Sequence, residues 1–385
     1  MKTIFRFLSM AAIVAGIAVT GALAQDVCSD VDTPTAQYEK FLGLYNVKPP
    51  TEGNVQEAIN IGKAFLEKFG ACEAWKDQSA FVKPQVARLE KLLIKLADDK
   101  MYARFDAAIN SDNADELYAA GRDILAKYPD NINIMFVMAV VGPREVGKKN
   151  MKYNGESLRY ATALLEKIKA GTPFNRKDKS GQDTIGALKH EMTKDNAISE
   201  LKYSLAYVNF YGQNNKKGAM PYFYEVTQSN GFRKEFPPIY ATIGDFYLDE
   251  AAPIGVEIAK LIEAIKTAPT EEDKVKINEE VKAKVALFNG YTERAMDAYS
   301  RAWKFAKDDT PAGKKYKDGL LATIQDLYKR RFDKETGVNE WVSTATAKPL
   351  PDPTSAVQPV VDPETTTTTT TGGPATASPA VAKKP

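Results

Sequence analysis

Between about Thr33 and Ser343, apolar residues return every three or four positions, a spacing that lines one side of an α-helix and that a pleated strand cannot use. Gln56 to Phe69 places Ala58, Ile61, Phe65 and Phe69 on one side, with Gly70 just past the end. Pro84 to Leu96 does the same with Val86, Leu89, Leu93 and Leu96. The pattern predicts further helices at Asp115–Tyr128, Glu156–Ile168, Ala197–Tyr211, Lys217–Gln228, Tyr240–Ala251, Val256–Ile265, Glu272–Phe288, Glu293–Lys307 and Lys314–Arg331. The polar, Gly/Lys-rich segment Gly171 to Asp183 is expected to be a long exposed loop. The expected fold class is therefore all-α.

The two ends of the chain read differently. Lys2 and Arg6 precede an apolar run from Phe7 to Ile17, and Ala22-Leu23-Ala24 offers a small-x-small cleavage pattern before Gln25. Residues 1–24 are read as a signal peptide, which places the mature chain in the periplasm or outside the cell. Residues 25–53 form an N-terminal extension with a first helix, and 54–343 the main helical domain. Residues 344–385 contain five prolines before a run of threonines from Thr365 to Thr371 and have few large apolar side chains. That composition predicts a disordered tail.

Charge and cysteine usage narrow the chemistry. The chain has 52 Lys and Arg against 50 Asp and Glu, and cleavage would remove Lys2 and Arg6, leaving a balanced mature chain. Such a balance supports neither general nucleic-acid binding nor electrostatic docking on anionic lipid. No segment after the leader is apolar for long enough to form an integral membrane span. An isolated pair of cysteines, Cys28 and Cys72, in an exported chain is read as one disulfide.

An internal repeat emerges when Glu57, Glu116 and Glu156 are aligned. A small residue follows at plus five (Gly62, Gly121, Ala161) and a leucine at plus nine (Leu66, Leu125, Leu165). A lysine follows at plus eleven (Lys68, Lys127, Lys167) and a large apolar residue at plus twelve (Phe69, Tyr128, Ile168). A period of this order in a helical chain implies stacked helix pairs, since one pair cannot bury its apolar side alone.

Ala295, Tyr299 and Ala302 carry an alanine, an aromatic four later and an alanine three beyond that, as the second helix of a tetratricopeptide repeat does. Ala219-Met220-Pro221-Tyr222-Phe223 begins in the same way, with Val226 in place of the last alanine. Gly244 and Tyr247 look like the small-then-tyrosine pair of a first helix, and Pro129 resembles the proline that ends a repeat. The chain thus resembles tetratricopeptide-repeat proteins (TPR-like) with degenerate repeats. The resemblance implies a curved α-solenoid whose concave side binds peptides or other proteins.

Catalytic constellations are sparse. Gly142-Pro143-Arg144-Glu145-Val146-Gly147-Lys148 has the spacing of a phosphate loop, but Lys149 stands where the Mg²⁺-binding Ser/Thr belongs. Pro143 also removes a donor from the loop, so an apolar helix followed by a basic loop is the better reading. His190 is the single histidine, too few for a His-based metal site, and no nucleophile signature surrounds it; it is read as a solvated histidine at a helix start. Glu271-Glu272 and Glu279-Glu280 read as a charged helix side. These features assign no catalytic, cofactor-binding or metal-binding residue, and no cofactor is implied.

The aromatic density from Tyr203 to Tyr247 is the remaining signal. The consecutive Tyr222, Phe223 and Tyr224 cannot all point one way on a helix. The candidate partner-binding residues are Tyr207, Tyr211, Tyr222, Phe223 and Tyr224. The expected function is an exported, non-catalytic scaffold that binds a protein or peptide; the alternative is a small-molecule or glycan module using region 203–247.

Overall fold

In the computed structural model, residues 27–362 are described, and the chain divides into two compact units, one ending at Phe105 and one beginning at Asp106. The described chain is mostly helical, with three short strands. The expected leader, residues 1–24, and the threonine run lie outside the described residues.

The first unit is built on α1 (Asp32–Tyr45), α2 (Glu52–Phe69) and the start of α3 (Lys76–Asn110). Thr51 starts α2 through a capping box: its backbone N–H donates to Asn54 Oδ1 at 2.7 Å, and its hydroxyl accepts from the Asn54 N–H. Phe41, Phe65, Phe69, Val82, Val86 and Leu89 form its core. Gly62 is required by packing, because a Cβ there would stand 2.4 Å from Val86 Cγ2. Cys28 and Cys72 form the expected disulfide, tying the segment before α1 to the end of α2.

The second unit continues with α4 (Ala114–Lys127), α5 (Ile132–Val140), α6 (Gly142–Gly147) and α7 (Asn154–Lys169). The segment Gly171 to Asp183, expected to be a long exposed loop, is mostly exposed, but it and the residues up to Thr193 are not plain loop. They carry a small antiparallel sheet in the order β1 (Arg176–Lys177), β2 (Asp183–Ile185), β3 (Met192–Thr193), registered by Arg176 against Thr184 and by Thr184 against Thr193. Then come α8 (Lys194–Tyr207), α9 (Lys216–Thr227), α10 (Pro237–Thr267), α11 (Glu271–Phe305), α12 (Pro311–Phe332) and α13 (Val338–Ala347). From α7 to α12 each helix packs on the next along the chain. Gly121 lets α4 approach α5, since a Cβ there would meet Met138 Sδ at 2.4 Å, and Ala161 is fully buried on α7.

Two helices are longer than the sequence suggests. The segments read as Tyr240–Ala251 and Val256–Ile265 are one helix, α10, with Pro253 exposed inside it. Proline there removes one backbone bond, but α10 stays packed along α11 and the helix continues. Likewise Glu272–Phe288 and Glu293–Lys307 fuse into α11, in which Gly290 is buried.

The tail needs a larger correction. Residues 344–385 were expected to be disordered from the start, yet 344–347 complete α13 and 348–362 lie packed against the unit, with Leu350 and Pro353 buried. Composition failed here because the order comes from the surface beneath. Arginines on α11 and α12 supply hydrogen bonds and ion pairs that the segment's own apolar content could not replace.

Candidate functional site

Local sequence positions a partly exposed group of aromatic side chains in the second unit. After Tyr207 the helix α8 widens into a π-turn, Val208–Gly212, closed by a bond from the Gln213 N–H to the Val208 carbonyl at 2.9 Å. π-Turns of this kind are often found at functional sites. Here the turn brings Tyr211 to within hydrogen-bonding distance of α10: its hydroxyl and Thr242 Oγ1 are 2.9 Å apart. Tyr207 and Tyr211 lie ring against ring, with centroids 4.7 Å apart. From α11, Tyr299 donates its hydroxyl to Asp245 Oδ1 at 2.5 Å. From the start of α12, Tyr316 stands close enough for Asp245 and Tyr211 to act on its hydroxyl.

Helices α8, α10 and α12 thus place Tyr207, Tyr211, Asp245 and Tyr316 around one surface, with Tyr299 behind. Tyr211 is 44% exposed and Tyr316 is 40% exposed. The Tyr316 hydroxyl is pushed up to about 12, first by burial and then by the Asp245 carboxylate. Burial also raises Tyr211 and, further, Tyr299, which has Asp245 as its nearest negative neighbour. These phenols stay protonated at neutral pH and present donors and apolar rings together. Beside them Lys216 pairs with Asp249, and Lys217 with Glu250 at 3.0 Å.

Of the five candidate partner-binding residues, the structure brings Tyr207 and Tyr211 to this surface. Phe223 is corrected: it is 1% exposed and lies in the core between α8, α9 and α10. Tyr222 and Tyr224 flank it, half-buried and packed partly on the same core. Tyr316, Thr242 and Asp245 were missed in the sequence reading. Tyr316 follows Tyr211 by more than a hundred residues, and only the folded chain joins them.

Other sequence features also find their place. Gly142 to Gly147 is the short helix α6 rather than the basic loop expected. Its Gly142 packs on Ser157, where a Cβ would lie 2.1 Å from the Oγ. Glu145 in the same stretch is buried and accepts from Arg144 Nε at 3.2 Å, Lys148 Nζ at 3.1 Å and Asn150 Nδ2 at 3.0 Å. Among the described residues, no group of three or more His, Cys, Asp or Glu side chains is arranged to hold a metal ion, and no helix is long and apolar enough to cross a membrane.

His190 is not solvated as expected. It ends the turn Leu188–His190 half-buried, with Nε2 buried and unpartnered. Burial, then Lys189 and Arg144, push its imidazole down to about 4, with Asp112 opposing. The unfolded chain therefore binds the extra proton first, and this residue's contribution to stability declines as pH falls from about 6.5 toward 4. His190→Gln should flatten that part of the acid dependence, read as the difference between denaturation midpoints at pH 7 and pH 4.5. Parallel profiles for the two proteins would mean that the ring titrates normally in the fold.

No family model, curated protein or solved structure matches this chain.

Proposed function

We infer that this is an exported helical-repeat scaffold, TPR-like in design, which binds an extended protein or peptide segment on the surface formed by α8, α10 and α12. The observation that carries the reading is the meeting of Tyr207 and Tyr211, at the end of α8 and in its π-turn, with Tyr316 from α12 at one partly exposed place, two of the three with raised hydroxyls. Aromatic rings with a polar tip are favoured at recognition surfaces because they offer contact area at small entropic cost. The solenoid reading draws support from the buried Gly62, Gly121 and Ala161, each in the small position of its aligned helix. Export draws support from the Cys28–Cys72 disulfide, a bond that persists in oxidising compartments.

A display library of extended peptides panned on the full chain tests this. Peptides selected by the wild-type protein should bind the Tyr211→Ala/Tyr316→Ala variant at least about tenfold more weakly, as expected for loss of two aromatic anchors. Equal binding by both proteins, with unchanged helical circular dichroism, would remove the site.

A further inference from the structure

Residues 348–362 cross α11 and α13 as a strap without helix or strand, and the surface beneath reads their main chain. Arg294 donates to the carbonyl oxygens of Asp352 at 3.1 Å, Ser355 at 3.2 Å and Ala356 at 3.1 Å. Arg301 donates to the Lys348 carbonyl at 2.7 Å. The Val360 N–H donates to the Ala286 carbonyl at 2.8 Å. At Gly290 the strap rests directly on the helix, since a Cβ there would lie 2.2 Å from the Gln358 carbonyl oxygen. Side chains of the strap add the buried Leu350 and Pro353, the half-buried Val357, the Ser355 hydroxyl accepting from Arg294 at 3.1 Å, and the ion pair of Asp362 with Arg331 at 2.7 Å.

This is how sites for extended peptides are built: backbone hydrogen bonds supply affinity and a few pockets supply choice. Prolines at 349, 351, 353 and 359 reduce the freedom the strap loses on docking. The seat is not filled like a core. A cleft of about 260 Å³ remains, lined by Trp341, Thr344, Gln358 and Val360 among others, and Trp341 Nε1 is buried without a partner. Ser355, Ala356, Gln358 and Pro359 are exposed along the strap.

We propose that the surface of α11 and α13 is a binding site for an extended proline-rich segment, filled here in cis by residues 348–362, and that the same segment of a second copy takes it when the two exchange. Every contact of the cis strap is available unchanged to an identical strap in trans, so exchange sacrifices none of them. In one molecule the cis strap wins through its high effective concentration.

Complementation between two full-length chains tests this. Leu350→Asp/Val357→Asp disables the strap and leaves the seat intact; Arg294→Ala disables the seat and leaves the strap intact. Mixed at the highest soluble concentration, the two should form a one-to-one heterodimer by sedimentation, whereas each alone stays monomeric. No heterodimer between two chains that melt as folded proteins would overturn the proposal. Hydrogen exchange on the unaltered protein gives a second test, independent of any variant. The Val360 amide should exchange by local opening, well before the amides of Ala295 to Ala302 on α11. Exchange of both sets together, only on global unfolding, would equally overturn it.

Discussion

Replacing Glu200 by alanine is expected to destabilise the second unit by about 3–5 kcal/mol, the usual cost of leaving one partner of a buried ion pair without the other. Glu200 on α8 and Arg233 form a bidentate pair, with Arg233 Nη2 donating to Oε1 at 2.9 Å and Nε donating to Oε2. Their side chains are 7% and 18% exposed. The guanidinium also lies over the Tyr203 ring, 3.9 Å from its centroid, and 5.0 Å from that of Phe236. Removal of Glu200 would leave the cation held among rings with no counter-charge. The Glu200→Ala/Arg233→Ala double variant should therefore lose less than the two single losses added together. Urea midpoints for the four proteins decide it. Additive losses would mean that the pair is solvated in the native state.

The Cys28–Cys72 bridge governs the other unit. It spans a sequence separation of 44 residues, and in the chain-entropy model such a closure is worth roughly 4 kcal/mol. Much of the unit's core lies inside that loop, including Phe41, Phe65 and Phe69. With Cys28→Ser/Cys72→Ser, amide protection in α1 and α2 should fall by up to about a thousandfold, since each 1.4 kcal/mol is a factor of ten. Protection in α10 and α11 serves as the internal reference. Unchanged protection in α1 and α2 would show that the crosslink contributes nothing to holding this unit folded.

Helix positions were legible because α2, α4 and α7 each bury one periodic side, and the sequence writes that side out directly. Helix ends were less so. Pro253 and Gly290 are breakers by local propensity, and both lie inside continuous helices because α10 and α11 pack along one another. Gly290 has a further reason to be glycine, which is the Gln358 carbonyl lying against it. That contact is non-local, so no window around residue 290 reports it. The strap itself was hidden for the same reason, its order residing in Arg294, Arg301 and Arg331 far upstream. At the tyrosine surface, Tyr207 and Tyr211 stood out through local density, whereas Tyr316 is an isolated aromatic in a charged stretch.

The widened turn after Tyr207 sets the direction in which Tyr211 points. A loop closed across five residues instead of four holds one amino acid more than a regular helix would. Each residue of an α-helix advances the chain by about a hundred degrees, so that surplus is a rotation built into the backbone. Asn209 braces it by donating its side-chain amide to the Leu205 carbonyl at 2.8 Å, an oxygen that also accepts from the Val208 N–H. The orientation of Tyr211 toward Thr242 is therefore an arithmetic property of chain length, one that deleting a single amino acid would cancel while every aromatic side chain remained in the protein.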